Sequence, residues 1–156
     1  MLVFPAGLSA EGPEQDSIKS ILDTATGINK VNLLNDICFT RRFSAPSFAM
    51  SSGREGLKAA QKGKFNMLVV YLRNNIGLLY LDKGQYEKAL ENFIEGAKVA
   101  ESISDKRSIA MSMENIGIIY QYQQLYEKAL LNFSTASKIY NEINDKRGSA
   151  NILNDF

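Results

Sequence analysis

Asn35, Asn75 and Asn115 stand at 40-residue intervals, each within a stretch whose apolar residues recur at helical spacing. A carboxamide carries a hydrogen-bond donor and an acceptor together, so a row of them can hold successive peptide units of an extended chain irrespective of its sequence. Equally, each amide can bridge two helices of its own protein, because a buried amide needs partners either way. Both uses are open from spacing alone. Each bond contributes only about 0.5 to 1.5 kcal/mol net, so a guest held this way must also be anchored by apolar contacts.

Other chemistry is excluded by what the chain lacks. It contains no histidine, which removes the commonest general base and the commonest neutral metal ligand together. Cys38 is its single cysteine, so no internal disulfide or thiolate zinc cluster can form, and the flanks Ile37 and Phe39 mark it as a small core or groove residue. Gly56 and Gly63-Lys64 imitate a phosphate loop only superficially, since the spacing is wrong and Phe65 stands where Ser or Thr is required. No nucleophile, base and orienting group can be assembled, so the expectation is a protein that is not an enzyme and carries no cofactor or metal.

The composition narrows the partner. A net charge of +1 argues against nucleic acid, which needs a concentrated excess of Lys and Arg. Arg41, Arg42, Arg54, Lys58, Lys62 and Lys64 are spread over more than 20 positions and interrupted by Glu55, as solvated helix faces are. No apolar run approaches the roughly 20 residues of a membrane span; Met67 to Leu72 comes nearest. At 156 residues the chain has the size of one domain.

The elements that must position the amides are repeats. Asn75-Ile76-Gly77, Tyr80 and Tyr86-Glu87-Lys88-Ala89-Leu90 return as Asn115-Ile116-Gly117, Tyr120 and Tyr126-Glu127-Lys128-Ala129-Leu130, and residues 65 to 104 match residues 105 to 144 at 13 of 40 positions without a gap. The same offset finds an eroded copy over residues 25 to 64 and the start of another over 145 to 156, where Asp145-Lys146-Arg147 repeats Asp105-Lys106-Arg107 as a charged helix start. A fixed period of this length is the signature of stacked helical hairpins. Leu68, Leu72, Ile76, Leu79 and Tyr80 form the stripe of one helix, Tyr86, Ala89, Leu90, Phe93, Ala97 and Ala100 that of the next, and Lys83-Gly84-Gln85 the turn between them. Glycine inside a helix costs about 1 kcal/mol against alanine, so Gly77 and Gly117 imply close approach of the partner helix, with Ala89 and Ala129 opposite. The tyrosines at 80, 86, 120 and 126 and the phenylalanines at 93 and 133 fall on the buried stripe and are expected in the core. In the first copy, Ser44 is expected to cap the second helix with Pro46 in its first turn.

Residues 1 to 14 form a leader with Pro5, Gly7, Gly12 and Pro13. They read either as the remnant of an export signal or as a loosely held N-terminus, so the compartment, cytoplasmic or periplasmic, stays open.

The pattern Ile76-Gly77, Tyr80, Ala89-Leu90, Phe93 and Gly96, repeated as Ile116-Gly117, Tyr120, Ala129-Leu130, Phe133 and Ala136, resembles the tetratricopeptide repeat, in a longer form with a period of 40. The resemblance implies an all-α, right-handed superhelical solenoid of antiparallel helix pairs whose first helices line a concave wall that receives a protein or peptide. Carried over by position, the inward-facing residues are Val31, Leu34, Cys38, Arg41 and Arg42; Tyr71, Asn74, Leu78, Leu81 and Asp82; Met111, Glu114, Ile118, Gln121 and Tyr122; and Asn151 and Asn154. With Asn35, Asn75 and Asn115 between them, the guest's apolar anchors would drop between Tyr71, Leu78, Met111, Ile118 and Tyr122. Leu78 and Ile118 stand where some members use asparagine to clamp a terminal carboxylate, which argues against that ligand.

Two functions follow from the resemblance: a non-catalytic interaction scaffold binding a peptide or partner domain in its groove, or the sensory or regulatory input region of a larger bacterial signalling protein such as a sensor histidine kinase. Phe156 falls where the next copy would place an apolar residue, so the expectation is either that the chain is a fragment of a larger protein or that it forms a homodimer through the C-terminal helix.

Overall fold

A computed structural model describes the backbone of residues 13 to 155 and the side chains of residues 15 to 152. The expected leader, residues 1 to 14, lies mostly outside this range, as does Phe156. The described chain is helical, in eight helices: α1 (Pro13–Thr24), α2 (Gly27–Thr40), α3 (Pro46–Lys62), α4 (Asn66–Asp82), α5 (Tyr86–Ser102), α6 (Lys106–Tyr122), α7 (Tyr126–Glu142) and α8 (Lys146–Asp155). The period of 40 is obeyed to the residue, since α3, α5 and α7 begin at 46, 86 and 126 and α4, α6 and α8 at 66, 106 and 146.

The junctions repeat as faithfully as the helices. Two places after the end of each helix from α3 to α7 stands a residue in the left-handed region: Lys64, Gly84, Ser104, Gln124 and Asn144, at φ of 55 to 66°. The amide three places after the helix end then returns to a carbonyl five residues back, as Gln85 N–H does to Tyr80 O at 2.9 Å and Leu125 N–H to Tyr120 O at 2.8 Å. These bonds satisfy carbonyls that the helix end leaves open and fix the reversal of the chain. Only the junction at Gly84 has the residue that suits this backbone freely. At the other end, Asp105 caps α6 by accepting from Ser108 N–H, and Asp145 accepts from Gly148 N–H at 3.0 Å, the charged helix starts expected from the sequence. In α3 the expected cap is corrected: Ala45 occupies that position with φ −145°, no side chain caps, and Pro46 is the first helical residue. A residue before proline is driven out of helical conformation, so the boundary moves one place beyond Ser44.

Packing of paired helices follows a knob and a hole. A Cβ on Gly77 would lie 2.6 Å from the ring of Phe93, and one on Gly117 2.7 Å from Phe133. The close approach expected at the two glycines is therefore made by phenylalanine rings, with Ala89 and Ala129 buried beside them. In the first hairpin the roles exchange helices. Ile37 stands in place of Gly77, Gly53 in place of Phe93, and the space at Gly53 is filled by Cys38 from the opposite helix, whose Sγ would be 2.6 Å from an added Cβ. A similar exchange places the Tyr140 ring over Gly148, where the preceding repeat has Ala100 and Ser108.

Tyr80 and Tyr120 are half-buried in the core as expected, and Phe93 and Phe133 fully so. Tyr126 is a correction: it is 65% exposed. Its counterpart Tyr86 is half-buried because Tyr122 of the next helix stacks on it, with centroids 6.2 Å apart and planes 13° from parallel. Among the described residues no later helix does the same for Tyr126.

Candidate functional site: the row of first helices

Successive hairpins touch unequally. The first helices of the pairs meet in turn, α2 with α4, α4 with α6 and α6 with α8, whereas α3, α5 and α7 do not touch one another among the described residues. A stack with one row of helices in contact and the other splayed curves toward the contacting row, so α2, α4, α6 and α8 line its hollow side.

Two of the three recurring asparagines join across this row. Asn75 Nδ2 donates to Asn35 Oδ1 at 2.9 Å, bridging α4 to α2. That bond uses one lone pair of Asn35 Oδ1 and one hydrogen of Asn75 Nδ2, and leaves the other of each, the two hydrogens of Asn35 Nδ2 and the Asn75 oxygen for further bonds. Asn115, one repeat further, is half-buried, and among the described residues its side chain enters no such bridge. Around these amides Tyr71 and Met111, at equivalent positions of α4 and α6, are 40% and 37% exposed, and Tyr122 is 64% exposed. Leu78 and Ile118 are half-buried, each seated at the margin of a core cluster.

Several positions carried over from the resemblance are not on an open wall. Asn74 is a correction: it is 4% exposed, locked between α4, α5 and α6. Ser112 Oγ donates to its Oδ1 at 3.2 Å, and a Cβ on Gly96 would touch that same oxygen. Its Nδ2 is buried without a protein partner. Glu114, at the equivalent place in α6, accepts from Tyr140 O–H at 2.8 Å and so tethers α6 to α7. In α2, Val31, Leu34 and Cys38 are buried, Val31 under the start of α4, Leu34 beside α1 and Cys38 against α3 and α4. Helix α2 has α1 on one side and α4 on the other, which closes most of its expected inner face. Asn151 is exposed, and the side chain of Asn154 lies outside the described residues.

The polar groups that remain are tied to structure. Arg42, in the turn after α2, lies 2.8 Å from Asp82 at the end of α4 through Nε, an ionic contact in which the N–H is not aligned on the oxygen, and its guanidinium covers Phe43 at 4.3 Å. Burial pushes the Cys38 thiol up to about 12, against a smaller opposing pull from Arg42, so it is held as an inert core group. Sequence reasoning missed Arg73, whose Nη1 donates to Asn92 Oδ1 at 3.2 Å, and Arg54, whose Nη2 donates to the Tyr80 hydroxyl at 3.0 Å. The recurrence of Asn92 as Asn132 was the available signal for the first of these.

Among the described residues no group of three or more acidic or cysteine side chains is placed to hold a metal, and no helix is long and apolar enough to cross a membrane. Duplicated helix pairs with a continuous core and an inner row of first helices define a helical-repeat solenoid. Residues 67–142 match the tetratricopeptide repeat family, which supports the reading of these hairpins as tetratricopeptide repeats. Repeats of this family typically mediate protein–protein interaction. No curated protein matches the sequence.

Proposed function

We propose that the protein is a non-catalytic scaffold that holds an extended peptide segment of a partner protein along α4 and α6. The observation that carries this is the incomplete amide row. Asn35 and Asn75 satisfy each other in part, while Asn115 stands half-buried beside Met111 and Ile118, its amide bonded to no side chain among the described residues. A guest peptide unit bonded to Asn115 would continue the pattern that Asn75 begins with Asn35, and Tyr71, Met111 and Tyr122 would supply apolar contact. Both uses of the asparagines foreseen from the sequence are then realised, one within the protein and one toward the guest. Asn74 and Glu114 support the wall from behind.

The test compares Asn115→Ala with the double variant Asn75→Ala/Asn115→Ala in pull-down and in binding to the peptide segments so identified. Asn115→Ala removes no bridge among the described residues, so it should keep wild-type stability and lose partner binding. Retention of every partner by both folded variants refutes the amide row as a binding device.

A further inference from the structure

The outer helix α7 shares with α5 a stripe that begins with Glu and ends with Lys, but carries Leu131 and Ser134 where α5 has Glu91 and Ile94. Glu127, Leu131, Ser134 and Lys138 are spaced i, i+4, i+7 and i+11, so they stand in line along one helix face, and all four are exposed. Leu131 is 68% exposed, and the corresponding residue of α5 is Glu91. One turn further along α7 lies a depression of about 590 Å³, lined by Ser134, Ser137, Lys138 and Asn141 with Phe133 and Ile152 beneath. A projecting apolar side chain and a hollow it could enter thus sit on the same face. On the flank, Leu130 is 55% and Tyr126 65% exposed.

We infer that this face of α7 binds a second copy of the same chain, with the two α7 helices antiparallel about a two-fold axis near residues 132 and 133. A two-fold interface requires a surface complementary to itself, in which residue i meets j and j meets i. The α7 stripe meets that requirement. Antiparallel pairing about this centre sets Glu127 of each copy against Lys138 of the other, giving two opposite-charge contacts. It sets each Leu131 over Ser134 and Ser137 of the other copy, at the mouth of the depression. Serines at the crossing allow close approach of the backbones. Exposed Leu130 and Tyr126 are drawn into the margin of the contact. The reverse, parallel pairing would bring Glu127 against Glu127 and Lys138 against Lys138. The surface lies on the outer row, away from the α4 and α6 wall, so dimer formation and peptide binding are independent of each other.

Sedimentation velocity and light scattering on the full chain across a range of concentrations test this. The wild-type protein should form a dimer. Leu131→Glu installs the residue that α5 already tolerates at the same place, so it should keep the wild-type helical signal and raise the dimer dissociation constant by about tenfold or more. Glu127→Lys should weaken the dimer, and the exchange Glu127→Lys/Lys138→Glu should restore it. A wild-type monomer at all concentrations overturns the proposal, and so does a dimer indifferent to Leu131→Glu and to the charge variants.

Discussion

The ring of Phe93 occupies the space a side chain on Gly77 would need, 2.6 Å from where its Cβ would lie. The same relation holds between Phe133 and Gly117 at 2.7 Å. Glycine in mid-helix is thereby explained by the aromatic ring packed against it, and each hairpin closes on that contact. Gly77→Ala should destabilise the protein by about 1 to 3 kcal/mol, as overpacking of a close-packed core does. Combining it with Phe93→Leu should cost less than the two single changes added, because the smaller side chain frees the space. Urea unfolding of the four proteins measures the coupling; strict additivity would mean that the two residues are not in contact.

Left-handed junctions should respond to glycine according to the residue already there. Ser104 and Gln124 hold φ near 57° and 60° without the freedom of glycine. Ser104→Gly and Gln124→Gly should each stabilise by about 0.5 to 1 kcal/mol. Asn144→Gly should change little, since asparagine tolerates this conformation. Thermal unfolding of the three variants should show that order.

Alkaline pH should loosen the end of the stack. Burial, then the hydrogen bond to Glu114 and the charge of that carboxylate, hold the Tyr140 phenol above its ordinary value of 10.0. The unfolded chain therefore loses this proton first as pH rises. Stability from Tyr140 is fully present below about pH 10 and is lost progressively above it. Cys38, raised to about 12, contributes in the same direction. Tyr140→Phe should lower stability by about 1 kcal/mol at neutral pH, where Glu114 loses its donor. It should also flatten the fall between pH 10 and 11.5, as followed by chemical unfolding at each pH. An unchanged slope would show that Tyr140 ionises as freely folded as unfolded.

Cys38, fully buried and with a raised thiol pKa, should resist alkylation in the native protein at neutral pH and react at the rate of a free thiol in denaturant. Mass spectrometry of the labelled chain follows both rates.

The architecture was legible because a period of 40 is written in residue identities, and periodicity dictates hairpins that can bury their apolar faces only against neighbours. The turn at Gly84 and the cap at Asp105 followed from local chemistry. What one sequence position could not reveal was which of two packing partners would be small. In the first hairpin the small residue is Gly53, on the second helix, and only the facing helix shows that Cys38 fills the space there. The same holds for the wall. Asn74 and Asn75 are adjacent and of the same type, yet the first is closed in by Ser112 and Gly96 and the second reaches Asn35 across the row. Positional transfer cannot separate them, because a shift of one residue turns a side chain by 100° around the helix.

The central claim, that a peptide lies along α4 and α6, is tested most directly by amide hydrogen exchange on the protein with and without peptides selected from a random displayed library. Protection is predicted over the segments carrying Tyr71 to Leu78 and Met111 to Tyr122, with affinity falling about tenfold or more in Asn115→Ala. Protection confined to α3, α5 and α7, with full affinity retained by Asn115→Ala, would contradict it.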